Sequence, residues 1–244
     1  MIEKDGVRLT GKIAVERVGQ VAPRRPDPAL IRELEKIDDL TGAVSDALDA
    51  LGVSRVVPGC LLRSSIPGSR IIGPALTVRN VRQQVESVND ASRRVAKHAE
   101  IEAHNLAKPG DVLVIEGITG ISNMGGLSST IGKRVGELGA VVDGSFRDMN
   151  RSRDLEYPIW SNGPSPISAK YRIETVLINQ TIHIHGVQVD PGDLVVADDT
   201  GVAFIPCELV PEVLKRVKEI EAAEERRRVG IDRGDLVPEL AVLQ

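Results

Sequence analysis

Aromatic residues are scarce in this 244-residue sequence and make up only 2% of it. The core must therefore be built mainly from Val, Ile, Leu and Ala side chains. Proteins that bind single-stranded nucleic acid stack its bases on aromatic side chains, and few are available here. The net charge of −4 also lacks the basic excess that a general nucleic-acid binder needs. We therefore expect no nucleic-acid partner.

Cysteines and long apolar runs are also few. The spacing of the two cysteines, Cys60 and Cys207, is not that of a metal site and is typical of free thiols in a reducing compartment. No apolar run approaches the ~18 residues that a membrane-spanning helix requires. The first residues, MIEKDGVRLTGK, contain no apolar signal region. We therefore expect a cytoplasmic protein with no membrane partner.

The hydrophobic content of 41% is sufficient for one large core. Helical and extended patterns alternate along the chain, which predicts an α/β fold with a mixed central sheet flanked by helices. We divide the chain into an N-terminal arm (1–28), a main domain (29–206) and a C-terminal helix and tail (207–244). Apolar residues in the arm and in the C-terminal helix predict that both contribute to subunit packing.

The apolar periodicity places individual elements along the chain. Helices are predicted from residue 29 and over 41–51, 89–106, 127–138 and 211–229. A strand over 70–81 is expected to be interrupted at Gly73-Pro74, because proline lacks an N–H group. The runs VLVIEG and AVVDG predict buried strands, and several short extended runs follow Pro158. His98 and His104 are six residues apart in the 89–106 helix, so they are expected on different faces.

A cluster of charge follows the AVVDG run, where Arg147 and Asp148 stand side by side. Gly125 and Gly126 precede the 127–138 helix, whose N-terminal amides would suit an anion. Ligands of α/β proteins bind where strands end and helices begin. We therefore expect these two groups to meet at one edge of the sheet.

The residue types of this cluster suit a small keto acid. An arginine and backbone N–H groups bind a carboxylate, and Mg²⁺ is often held by only one or two carboxylates and several waters. Such a cation would polarise a keto oxygen. The same spacings also fit an ordinary turn at Gly125-Gly126 and a surface ion pair of Arg147 with Asp148. Spacing alone leaves both interpretations open.

Several segments, in one order from residue 41 to 206, resemble the RraA-like family. They are TGAVSDAL, GPALTV, KPGDVLVIEG, MGGLSSTIGKRVGELGAVVDGSFRD, PIWSNGPSP and PGDLVVADDTGVAFIP. This family includes divalent-metal-dependent 4-hydroxy-4-methyl-2-oxoglutarate aldolases and relatives that decarboxylate oxaloacetate. The resemblance implies a single β/β/α swivelling-type domain in a homotrimer or homohexamer, with the active site near a subunit boundary.

The resemblance also implies a role for each residue of the cluster. Arg147 and Asp148 would be catalytic: Arg147 would hold the pyruvate part of the substrate, and Asp148 would bind Mg²⁺, or alternatively Mn²⁺. The carboxylate of a small 2-oxo acid substrate would be bound by the backbone of four residues, Gly125, Gly126, Leu127 and Ser128. The implied activity is cleavage of a C–C bond in a 4-hydroxy-2-oxo acid or oxaloacetate, with release of pyruvate.

The sequence departs from the family pattern at one position. The aldolases carry an acidic residue twenty-one positions before the arginine, where this chain has Gly126. Retro-aldol cleavage needs a base to remove the proton of the 4-hydroxyl group, whereas decarboxylation does not. We therefore predict that decarboxylation is favoured. The alternative function is that of a non-catalytic, protein-binding regulator of a ribonuclease, after which the family is named.

Overall fold

The computed structural model describes residues 2–84, 92–93 and 95–241. Its helices are α1 (Pro28–Leu34), α2 (Leu40–Ala50), α3 (Ile101–Leu106), α4 (Gly126–Val135), α5 (Met149–Asp154), α6 (Val210–Arg233) and α7 (Val237–Leu240). Its strands are β1 (Glu3–Lys4), β2 (Val7–Arg8), β3 (Val56–Pro58), β4 (Arg63–Ser64), β5 (Ile71–Arg82), β6 (Val112–Glu116), β7 (Gly139–Asp143), β8 (Ile159–Ser161), β9 (Ile173–Ile178), β10 (Ile182–Ile184), β11 (Val187–Val189), β12 (Leu194–Ala197) and β13 (Gly201–Ile205). Within these residues, no helix combines the length and the apolar character needed to cross a membrane.

Nine strands form one curled, mixed sheet in the order β3-β13-β12-β5-β6-β7-β8-β4, and β9 also pairs with β5. Strands β5 to β8 are parallel, whereas β12 and β9 pair antiparallel with the two halves of β5. Apolar side chains fill the layers on both faces of this sheet. The predicted α/β fold with a mixed central sheet flanked by helices is confirmed.

The parallel strands β6 and β7 place the candidate site. Both are almost completely buried, which explains their continuous Val-rich and Ile-rich runs. They pair in register from Val112 with Gly139 to Glu116 with Asp143. Because the two strands end at the same edge, the loops that follow them leave the sheet side by side.

Strand β5 runs through Gly73-Pro74 without a break, so the predicted interruption is wrong. The neighbouring Ala75 donates its N–H to the Asp193 carbonyl at 2.8 Å, towards β12. Successive residues of a strand direct their N–H groups to opposite sides, so Pro74 faces the β6 side. Pairing with β6 begins only at Ala75. The missing N–H of Pro74 therefore costs no hydrogen bond of the sheet.

Between residues 95 and 106, the predicted 89–106 helix is present only from Ile101, where α3 begins. Residues 95–99 have no regular secondary structure and bond instead to β9. The Ala99 N–H donates to Oγ1 of Thr175 at 2.8 Å, and the Thr175 N–H donates to the Lys97 carbonyl at 3.1 Å. Part of the predicted helix, residues 89–91 and 94, lies outside the described residues.

The arm and the C-terminal helix pack against their own chain. The arm contributes four buried residues to the cluster beneath β5 and β6, namely Leu9, Ile13, Val18 and Val21. The first turns of α6 pack in the same way against α2, through Val210, Val213, Leu214 and Val217. These contacts account for some of the apolar residues from which a role in subunit packing was predicted, but others stay exposed, namely Val229, Ile231, Leu236 and Val237, and that role stays a prediction. The division into arm, domain and tail stays a prediction.

Candidate functional site

The structure brings the predicted residues together in the loops that follow β6 and β7. Asp148 accepts a hydrogen bond on Oδ2 from the Gly126 N–H at 2.8 Å. The Arg147 Nε atom lies 3.6 Å from the same carboxylate oxygen. The Arg147 N–H donates to the Met124 carbonyl at 3.1 Å, which ties the two loops together. Arginine, aspartate and the start of α4 therefore form one cluster.

The close approach of these groups explains the two glycines. A Cβ atom on Gly125 would lie 2.9 Å from Oδ2 of Asp148 and 3.1 Å from Nε of Arg147. The Gly125 φ angle of −150° is open to any residue, so space and not conformation demands glycine here. A Cβ atom on Gly126 would lie 3.1 Å from Cγ of Arg151 and 3.2 Å from Cβ of Asp148. An acidic side chain at 126 would therefore require Arg151 to move.

Asp148 has a left-handed backbone with a φ angle of +62°, directly before α5. Among residues other than glycine, aspartate and asparagine tolerate this conformation best. Its side chain is 49% exposed. In the described part of the chain, only Oδ2 has protein partners, so Oδ1 is open to a ligand.

A pocket of about 430 Å³ opens beside this cluster. Arg147, Gly125, Leu127 and Ser128 belong to its lining, whereas Asp148 and Gly126 adjoin it. The described lining also contains five other charged or titratable side chains, Lys12, His98, Glu100, His104 and Lys170. Among the described residues of the lining, two lysines and one arginine outnumber one glutamate, which gives this part of the pocket a positive character. An acidic small molecule would complement it.

Glu100, the acid among the described lining residues, is held in its ionised form. Burial alone would raise the pKa of Glu100, but the hydrogen bond from His98 and the charges of His98 and His104 bring it below its ordinary value. The Nδ1 atom of His98 lies 2.9 Å from Oε2 of Glu100. The prediction that His98 and His104 occupy different faces of one helix is wrong, because His98 precedes α3 and both residues line the pocket.

A buried row of polar side chains leads away from the pocket, and no motif in the sequence indicated it. The Oγ atom of Ser128 lies 2.8 Å from Nε2 of His104, whose Nδ1 atom lies 2.7 Å from Oε1 of Glu137. The Tyr157 hydroxyl donates to Oε2 of Glu137 at 2.6 Å. These residues are 20 to 33 positions apart for each contact, so only tertiary folding reveals the row.

The donor set near Asp148 restricts which cation it would fit. Across residues 2–84, 92–93 and 95–241, no group of three His, Cys, Asp or Glu side chains is placed to hold a metal ion. That excludes a structural zinc site of the usual kind from this part of the chain. One free carboxylate oxygen fits Mg²⁺ or Mn²⁺ with most positions filled by water. The roles of Asp148, Arg147 and residues 125–128 stay predictions.

The sequence is similar to two known proteins that cover most of this chain. The chain is 33% identical over 193 residues to a Halalkalibacterium halodurans protein provisionally named a 4-hydroxy-4-methyl-2-oxoglutarate aldolase, covering 78% of this chain and 84% of that protein. It is 30% identical over 217 residues to protein DlpA of Legionella pneumophila. That match covers 85% of this chain but 32% of DlpA, so the chain spans about a third of that relative's length.

Two solved structures share the fold over nearly their whole length. A Pseudomonas syringae protein described as uncharacterized has a TM-score of 0.74 and 27% identity, covering 90% of this chain and 100% of its own. RraAS2 of Streptomyces coelicolor, described as an unusual member of the RNase ES inhibitor RraA protein family, has a TM-score of 0.70 and 29% identity, with coverages of 85% and 99%. The family model described as RraA-like, aldolase/RraA, matches residues 41–204, and the chain therefore belongs to the RraA-like family.

Proposed function

We propose that this protein is a divalent-metal-dependent lyase that cleaves a C–C bond of oxaloacetate or a 4-hydroxy-2-oxo acid and releases pyruvate. The observation that carries the proposal is the cluster of Arg147, Asp148 and the first turn of α4 beside a positively charged pocket. The likeness to the protein provisionally named as an aldolase supports the same reaction class.

The substrate carboxylate has a defined set of donors in this proposal. The first amides of a helix have no intrahelical acceptor, and that of Gly126 is already taken by Asp148. The amides of Leu127 and Ser128 and the guanidinium of Arg147 are left to bind the anion. Lys12 and Lys170 would attract the second carboxylate of a dianionic substrate. The chain would thus hold the 2-oxo acid by both ends.

The chain's own groups then orient the bond that breaks. Asp148 would hold Mg²⁺ or Mn²⁺ through its free oxygen, and when bound the cation supplies electrophilic polarisation of the keto group. Arg147 would neutralise the carboxylate next to that keto group and fix its plane. The electron pair of the breaking bond moves into the pyruvate part, which leaves carbon dioxide or an aldehyde or keto product. A proton then has to reach the pyruvate methyl carbon.

Decarboxylation is the favoured reaction in this proposal, because Gly126 supplies no base. Loss of a general base typically lowers a rate by about 10²–10⁴-fold. Oxaloacetate loses carbon dioxide without any proton being removed first. Retro-aldol cleavage has to wait for the 4-hydroxyl proton to leave, so it would be the slower of the two reactions.

The proposed activity is tested by measuring pyruvate release from a panel of 2-oxo diacids with Mg²⁺, with and without a chelator. We expect release from oxaloacetate above the background given by Mg²⁺ alone, abolished by the chelator and by Asp148→Ala. Arg32→Ala, an exposed arginine of α1, is the matched surface control. Release that persists in Asp148→Ala, or that never exceeds the background, would contradict the proposal.

We also propose that the protein assembles as a homotrimer or homohexamer. Leu127, at the rim of the pocket, is 84% exposed, which is unusual for a large apolar side chain and is explained if a neighbouring subunit covers it. Sedimentation equilibrium measures the mass directly. A monomer at micromolar concentration would contradict this assembly.

The second candidate function is regulation of a ribonuclease by protein binding. The observation that favours it is the likeness to RraAS2, whose family is described as inhibiting an RNase. This function predicts inhibition that needs no divalent cation on the regulator and that survives Asp148→Ala. Inhibition of a purified ribonuclease, combined with no pyruvate release from any 2-oxo acid, would favour this candidate over the lyase.

A further inference from the structure

The buried row of side chains beside the pocket has the order serine, histidine, glutamate and tyrosine. Ser128 is 6% exposed and His104 is 2% exposed, and both nevertheless line the pocket. Both nitrogen atoms of the His104 ring have partners, Oγ of Ser128 at 2.8 Å and Oε1 of Glu137 at 2.7 Å. The row therefore connects the pocket surface to a buried carboxylate through one imidazole ring.

Tyr157, at the buried end of the row, determines the directions of the hydrogen bonds. Burial, followed by the charge of Glu137 and the hydrogen bond to it, raises the pKa of Tyr157 well above its ordinary value. The Tyr157 hydroxyl therefore stays protonated and donates to Oε2 of Glu137. Oε1 of Glu137 is left to accept the Nδ1–H of His104, so Nε2 is the ring atom that can exchange a proton with the Ser128 hydroxyl.

Local packing makes room for the row. A Cβ atom on Gly132 would clash with the Glu137 carboxylate and lie 2.9 Å from the Tyr157 hydroxyl. Gly132 and Ser128 are one helical turn apart on α4, so they present the same side of that helix to the row. The Glu137 N–H also donates to the Gly132 carbonyl at 2.9 Å, which fixes the carboxylate beneath the helix.

The row opens where the proposed substrate would lie. Ser128 follows Gly125 by three residues, and Gly125, Ser128 and Arg147 all belong to the lining of the pocket. The Ser128 amide is one of the donors left for the substrate carboxylate, so the hydroxyl group of the same residue would lie next to the bound anion. The position suits a group that exchanges a proton with carbon 3 of the pyruvate part.

We propose that Ser128 is the catalytic proton donor of the lyase, supplied with its proton by His104, which Glu137 and Tyr157 position. This inference rests on the proposed function and assigns the protonation that completes either C–C cleavage. This protonation follows C–C cleavage, so it does not depend on an acidic side chain at position 126.

The step is balanced in protons and involves no redox change. After C–C cleavage, carbon 3 of the enolate takes the hydroxyl proton of Ser128, and a C–H bond replaces the O–H bond. The Ser128 oxygen takes the Nε2 proton of the imidazolium form of His104, which becomes neutral and keeps its Nδ1–H on Glu137. His104 is then reprotonated on Nε2 through the Ser128 hydroxyl, by the one proton from solvent that decarboxylation consumes for each pyruvate formed. In the reverse direction, the same groups remove a methyl proton from pyruvate.

The reverse direction gives a direct assay, the exchange of pyruvate methyl protons in D₂O with Mg²⁺, followed by ¹H NMR. We expect the wild-type protein to catalyse this exchange and Ser128→Ala to slow it by about 10²–10⁴-fold, the usual contribution of a proton-transfer group. His104→Gln should show a similar loss, and Ser128→Thr, which keeps the hydroxyl, should regain most of the rate. Ser129→Ala, the neighbouring serine of α4 whose hydroxyl bonds to the Gly125 carbonyl, is the matched control.

The outcomes separate this inference from the proposed function. Pyruvate release with no methyl exchange in the wild type, or with equal exchange in Ser128→Ala, overturns the relay and leaves the lyase standing. Neither release nor exchange in the wild type overturns both. Thermal unfolding of each variant is compared with the wild type. A slower exchange in folded Ser128→Ala, restored in Ser128→Thr, distinguishes proton transfer from a purely structural role of the buried row.

Discussion

The two adjacent glycines at the start of α4 should respond differently to the same replacement. In Gly125→Ala, the new Cβ atom would sit 2.9 Å from Oδ2 of Asp148 and 3.1 Å from Nε of Arg147. In Gly126→Ala, the Cβ atom would lie 3.1 Å from Cγ of Arg151, an exposed side chain that can move, and 3.2 Å from Cβ of Asp148. The first variant should push apart the interacting ends of Arg147 and Asp148, whereas the second should shift Asp148 by only a few tenths of an ångström.

The expected difference in stability between the two variants follows from the hydrogen bond to Asp148 that Gly125→Ala would weaken. A hydrogen bond to a charged group contributes about 1.5–3 kcal/mol, and partial exposure of Asp148 lowers this to about 1–2 kcal/mol. Both variants gain about 0.4–1 kcal/mol because alanine restricts the unfolded chain. That gain cancels between them. We therefore expect the free energy of unfolding of Gly125→Ala to be about 1–2 kcal/mol below that of Gly126→Ala.

Urea denaturation measures this difference, and the pyruvate-release assay measures its consequence. Misplacement of a catalytic group by about 1 Å can lower a rate by about 10²-fold, which is the loss in kcat/KM that we expect for Gly125→Ala. Gly126→Ala should stay within a few-fold of the wild type. Equal stability and equal activity of the two variants would refute the assignment of Gly125 to the close approach of Asp148 and Arg147.

Three further predictions concern the reaction and its pH dependence. Gly126→Asp should raise the ratio of aldol cleavage to decarboxylation, measured on a 4-hydroxy-2-oxo acid and on oxaloacetate, and an unchanged ratio would contradict the explanation given for Gly126. Lys12→Gln should raise KM for oxaloacetate several-fold, because Lys12 lines the pocket where it would attract the second carboxylate of the substrate; an unchanged KM would argue against that role. Burial raises the pKa of Asp193 to about 6, despite opposing hydrogen bonds from Asp190 and Cys207 and the charge of Arg55. A carboxyl group with a raised pKa stabilises the folded protein below a pH of about 4, and this stabilisation is lost as the pH rises through about 6. The free energy of unfolding of the wild type, relative to that of Asp193→Asn, should therefore fall between these pH values in urea denaturation. A difference that does not vary with pH would contradict this prediction.

The sequence was sufficient to predict the fold class and the meeting of the two loops. The apolar runs of β6 and β7 are continuous, and both strands end next to the residues that suggested a site. The pattern of neighbouring residues was therefore enough to predict these strands and the position of the loops that follow them. The helix predicted over 89–106 is wrong between residues 95 and 99 for the opposite reason. Its Lys97–Ala99 backbone bonds to Thr175 of β9, a partner far along the chain that no local pattern reveals.

The buried row of Ser128, His104, Glu137 and Tyr157 shows the same limit at the site itself. Each of these residues is unremarkable in its own segment, and its partners come from other elements of the fold. Gly132, which makes room for the row, cannot be distinguished in the sequence from any other glycine inside a helix. Only the packing of α3 and α4 against the turn before β8 brings the four side chains into hydrogen-bond distance.

The central claim is that Asp148 and Arg147 form a cation and keto-acid site, and Mn²⁺ binding tests it most directly. Water-proton relaxation would be measured as Mn²⁺ is added to the wild type and to Asp148→Asn, with and without oxalate as a mimic of the pyruvate enolate. We expect an enhancement that oxalate alters in the wild type, and at least about tenfold weaker binding in Asp148→Asn. Equal Mn²⁺ binding by the two proteins, with no effect of oxalate, would contradict the claim.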